Sequence, residues 1–65
     1  MTSPTNDDRA AWAHDAILDL CAATGCDLDD GLTDLLCDLM HWASLMGRNF
    51  DKALDQARMH FGAEA

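Results

Sequence analysis

The sequence predicts an all-α fold, a small three-helix bundle with helix 2 as its central element. Three observations carry this. Apolar residues recur with a helical period in three separate stretches, a glycine closes each stretch, and no segment alternates apolar and polar with period two. The most regular stretch is 32–47, LTDLLCDLMHWASLMG, in which Leu32, Leu35, Leu36, Leu39, Trp42, Ala43 and Met46 fall at i, i+3, i+4 and i+7 on one helical face. The whole chain of 65 residues is expected to form a single helical domain, frayed at 1–5 and 63–65.

Helix 1 is expected to start between residues 4 and 7 and to run to Thr24. Ser3-Pro4 or Thr5 offers a hydroxyl cap with proline in the first turn, and Asp7 and Asp8 suit the positive N-terminal end. Gly25 can close it in the left-handed conformation. Ala10, Ala13, Ile17, Leu20, Cys21 and Thr24 share one face, and Asp8, Asp15 and Asp19 lie opposite. Trp12 is the misfit, because it projects nearer the acidic side than the apolar stripe. It either contacts another molecule or wraps over the edge of helix 3.

Residues 26–31, CDLDDG, form the first turn, in which Asp27 or Asp30 can cap helix 2 and Asp29 and Asp30 favour its N-terminus. Helix 2 is expected from residues 28–32 to Met46, with Gly47 as its C-terminal cap. Arg48-Asn49 is a tight connector, and Asn49 is a good N-cap. Helix 3 should run from Phe50 to Phe61 with Phe50, Ala53, Leu54, Ala57 and Phe61 on one face and Gly62 ending it. Short connections favour antiparallel neighbours, so helices 1 and 3 are expected to pack on the Leu/Trp face of helix 2.

Charge narrows the function classes. Twelve acidic residues oppose four basic ones, for a net charge of −8. Direct nucleic-acid binding is disfavoured, since it needs Lys and Arg to neutralise phosphates. The charge is also uneven: residues 1–38 hold nine Asp against Arg9 alone, while residues 39–65 balance Asp51, Asp55 and Glu64 with Arg48, Lys52 and Arg58. No apolar run approaches the length of a membrane span, and the polar start MTSPTNDDR is unlike a signal peptide. A cytoplasmic location with reduced thiols is therefore the expectation, and three cysteines cannot all pair within one chain. So small a chain lacks the bulk for a deep catalytic cleft, which argues against an enzyme.

Several constellations could carry chemistry. Cys21, Cys26, Cys37 and His41 follow C-x4-C-x10-C-x3-H, a donor set that could hold zinc. The pattern is loose, and Cys21 is expected on the core face of helix 1 while Cys37 and His41 point away from the core face of helix 2. The expectation is thus no metal and no cofactor, with a small Cys/His metal-binding or regulatory module at a homodimer interface as the alternative. Asp34, Asp38 and His41 are expected together on the outer face of helix 2, where a solvated polar face is the plainer reading. CDLDDG fails as a calcium loop: with Gly31 as the fixed glycine, the first, third and last ligand positions would be Cys26, Leu28 and Cys37. His14 and His60 stand alone.

The remaining signal is the row of carboxylates. Asp15 and Asp19, like Asp34 and Asp38, stand one helical turn apart, about 5–6 Å between Cβ atoms. That is close to the spacing of successive phosphates along a nucleic-acid strand, so rows of short Asp side chains can imitate a phosphate backbone. Residues 32–61, through DLMHWA, NFDKAL and ARMHF, resemble small helical proteins carried by phages, plasmids and integrated elements. In size and charge the chain is similar to anti-CRISPR proteins, several of which act as DNA mimics. The resemblance brings no catalytic residues. It implies an inhibitor that meets a basic surface, such as that of a CRISPR effector complex. The residues expected to do so are Asp15, Asp19, Asp27, Asp29, Asp30, Asp34 and Asp38, with Trp12 as an apolar anchor or dimer contact.

Overall fold

The computed structural model describes residues 5–64 and is all-helical, with three helices: α1 (Asn6–Thr24), α2 (Leu28–Leu45) and α3 (Phe50–Glu64). The expected start at Ser3-Pro4 and the fraying of residues 1–4 and 65 lie outside the described residues. Helix ends are set locally. Thr5 caps α1 through a capping box, its hydroxyl accepting from the Asp8 amide while the Asp8 carboxylate accepts from the Thr5 amide, both at 3.1 Å. Asp27 caps α2 by accepting from the Asp30 amide at 3.0 Å, and Asn49 caps α3 by accepting from the Lys52 amide at 3.0 Å.

The glycines behave differently from one another. Gly25 (φ 79°) donates its amide to the Cys21 carbonyl, closing α1 with a single left-handed residue. After α2, Gly47 (φ 66°) donates to Ser44 and Arg48 donates to Ala43, which is the paired closure of a Schellman motif. Gly62 does not end α3 as expected. The helix continues through it to Glu64: unlike Gly25 and Gly47, Gly62 does not take the left-handed φ that closes a helix. Residues 63 and 64 are accordingly helical.

The chain divides into two compact units, Met1–Leu35 and Leu36–Ala65, with the boundary inside α2. In the first unit α1 meets the start of α2, and Ile17, Leu20, Cys21 and Leu35 are half-buried there. The two helices are in close contact at Gly31, which is buried: a Cβ built there would lie 2.6 Å from Ile17 Cγ2 and 3.5 Å from Cys21 Sγ. The missing side chain is what lets the helices approach. In the second unit the rest of α2 meets α3, where Ala43 is buried and Phe50 and Leu54 are half-buried.

α2 is therefore central as expected, but its apolar stripe is not a single buried face. Leu32 is 61% exposed, and Leu36, Leu39, Trp42 and Met46 also keep 40% or more of their surface open to solvent. In the first unit α1 covers Gly31 and the residues one turn on, Asp34 and Leu35. Leu32 sits about 100° round the helix from Gly31 and escapes that contact. Among the described residues no helix is long and apolar enough to cross a membrane.

Candidate functional site

The outer face of α1 is the first candidate. Its half-buried residues Ile17, Leu20 and Cys21 lie on one side, and helical spacing places Asp8, Trp12, Asp15 and Asp19 on the other. All four are exposed, with the Trp12 indole 60% open to solvent. That exposure leaves the indole surface open to a contact with another molecule. Asp8 is already engaged in the α1 capping box, which leaves Asp15 and Asp19 as the carboxylates flanking Trp12.

The other predicted acidic residues divide by role. Asp27 is the α2 cap, so its carboxylate is engaged locally. Asp29 and Asp30 are exposed in the first turn of α2, where they also oppose the positive helix end. Asp38 is exposed. Asp34 shares a helical face with Asp38 and His41, as their spacing requires, but unlike them it is not exposed. It is half-buried, and its charge acts on the Cys21 thiol, because it lies one turn beyond the Gly31 contact with α1.

The loose C-x4-C-x10-C-x3-H set of Cys21, Cys26, Cys37 and His41 is not brought together. Among the described residues no group of three or more His, Cys, Asp or Glu side chains is arranged to hold a metal ion. Cys37 and His41 are exposed. Cys21 and Cys26, in contrast, are half-buried with their sulfurs 2.7 Å apart. The turn between them accounts for the approach. The Thr24 hydroxyl donates to the Leu20 carbonyl at 2.9 Å and accepts from the Cys26 amide at 3.4 Å, folding residue 26 back over the last turn of α1. The Cys21 thiol also reaches the Asp27 carbonyl at 3.4 Å. The hydrogen bond to Cys26, then burial, then the nearby charges of Cys26, Asp27 and Asp34 push the Cys21 thiol from 9.0 up to about 11.

Sequence reasoning missed one feature. In the second unit a cavity of about 300 Å³ lies between α2 and α3, lined by Leu36, Leu39, Trp42, Phe50 and Leu54 among others, with Arg48 and Asn49 also on its wall. Its signal was the α2 stripe, read as core although five of its members stay exposed. The walls carry no carboxylate, thiol or imidazole. Asn49 is occupied as the α3 cap. The cavity is thus a hydrophobic recess without acid–base groups. No protein-family model, curated protein or solved structure matches the chain.

Proposed function

We propose that the protein is a non-enzymatic binding module that docks on a basic surface of a nucleic-acid-binding complex through the outer face of α1. The observation that carries this reading is Trp12, 60% exposed on the same face of α1 as Asp15 and Asp19. An indole in that setting costs solubility when free and repays it in a contact: it supplies the desolvated anchor, and the acidic neighbours supply orientation and attraction to Lys and Arg. The −8 charge supports long-range steering toward such a surface, and the inhibitor role implied by the resemblance to anti-CRISPR proteins fits the same chemistry.

Binding to purified CRISPR effector complexes, measured beside an unrelated basic nucleic-acid-binding complex, tests the proposal. Trp12→Ala should weaken the complex by tens of fold, as loss of an interface anchor does. Asp15→Lys with Asp19→Lys should weaken it further and flatten its salt dependence. Both changes lie on an exposed face, so circular dichroism should remain that of the parent protein. Undiminished binding by the charge-reversed variant would rule out the acidic face as the docking surface.

A further inference from the structure

We propose that Cys21 and Cys26 are a dithiol site that a low-molecular-weight disulfide oxidises to an intramolecular cystine, tying the end of α1 to the entry of α2. The two sulfurs stand 2.7 Å apart, roughly 0.7 Å beyond a disulfide bond length, and both are half-buried. The approach is built by the fold. Gly25 supplies the left-handed turn, Thr24 bridges Leu20 to the Cys26 amide, and the Asp27 carbonyl holds the Cys21 thiol on its other side. Gly31 of α2 lies beside the pair as well: a Cβ built there would stand in ordinary contact with the Cys21 sulfur, at 3.5 Å. Cys37 belongs to the second unit and is exposed, so the pair is 21–26.

The chemistry is thiol–disulfide exchange with a reagent RSSR such as glutathione disulfide. One cysteine, as thiolate, attacks a sulfur of RSSR, forming a mixed disulfide and releasing RS⁻. The second cysteine, as thiolate, attacks the protein-side sulfur of that mixed disulfide, forming the Cys21–Cys26 bond and releasing the second RS⁻. The protein loses two electrons and two protons, and RSSR becomes two molecules of RSH. A ring closed over so few residues removes freedom from the unfolded chain without asking the folded turn to move far. The stiffness of the α1–α2 turn would then follow the thiol redox poise around the protein.

The test uses the full chain carrying Cys37→Ser, so that only the pair can react. After incubation with glutathione disulfide, intact mass should fall by two hydrogen atoms, neither remaining cysteine should be alkylated, and Tm should rise by roughly 10 °C and return on adding dithiothreitol. Cys37→Ser with Cys26→Ser, treated identically, should show none of these changes. A stable glutathione adduct on one cysteine, a chain-to-chain dimer, or a cystine that leaves Tm unchanged or lowers it would each overturn the proposal.

Discussion

At the residue scale, Cys21 titrates in a way the sequence alone does not suggest. Its thiol is held protonated up to about pH 11, first by the hydrogen bond to Cys26 and then by burial and nearby negative charge. Below pH 9 the thiol is protonated in folded and unfolded chains alike, and its contribution to stability is fully present. As pH rises from 9 toward 11 the unfolded chain gives up the proton first, so that contribution is lost. Denaturation of the reduced protein should therefore show stability declining across this interval, and the decline should shrink in Cys21→Ser. Alkylation mapped by mass spectrometry should find Cys21 lagging behind exposed Cys37 at pH 8 to 9. The pairing itself escaped a reading by helical wheels. Cys26 lies outside both helices, and a turn, not a periodicity, brings it to Cys21.

At the element scale, the ends of the helices were the most legible part of the chain. Thr5, Asp27 and Asn49 cap, and Gly25 and Gly47 close, because each acts through bonds to residues three to five positions away. Loss of the Asp27 or Asn49 side chain to alanine should cost about 1 kcal/mol in urea denaturation. Gly47→Ala should cost about as much, since alanine resists φ 66°. What could not be read was which face of α2 each neighbour takes. Hydrophobic periodicity marks an apolar stripe, but Gly31 carries no hydropathy signal, and it is Gly31 that α1 approaches. Hence Leu32 is open and Asp34 half-buried, the reverse of the expected order.

Two glycine substitutions make this contact measurable. Gly31→Ala should destabilise by about 1 kcal/mol, because crowding against the stiff, β-branched Ile17 outweighs the gain in helix propensity. Gly62→Ala, where an added methyl meets nothing within 4 Å, should instead stabilise by about 0.5–1 kcal/mol. In an Ile17→Ala background the Gly31→Ala penalty should vanish, and a double-mutant cycle would measure the coupling.

At the scale of the whole molecule, charge and apolar surface are unevenly shared. The acidic excess lies in residues 1–38, while the 39–65 half is neutral overall and presents Leu45, Met59 and Phe61 to solvent at 84%, 72% and 74% exposure. Crowded carboxylates repel one another in the folded state, so raising NaCl from about 20 to about 500 mM should raise Tm by a few degrees. The same salt should weaken binding to a basic partner, which separates the two effects in one titration. Composition disclosed the charge, and hydrophobic periodicity the helical class. It could not disclose how little of the apolar stripe would be covered, since that depends on helix approach and not on residue type.

The contact between Ile17 and Gly31 also sets a rule for kinship. The two positions share one volume, so a chain of this fold that acquires a side chain at 31 is favoured to give up a γ-methyl at 17, and a bulky residue at 17 favours glycine fourteen positions later. Among diverged relatives this reciprocal pattern should persist where overall likeness has faded, next to a cysteine one turn beyond position 17.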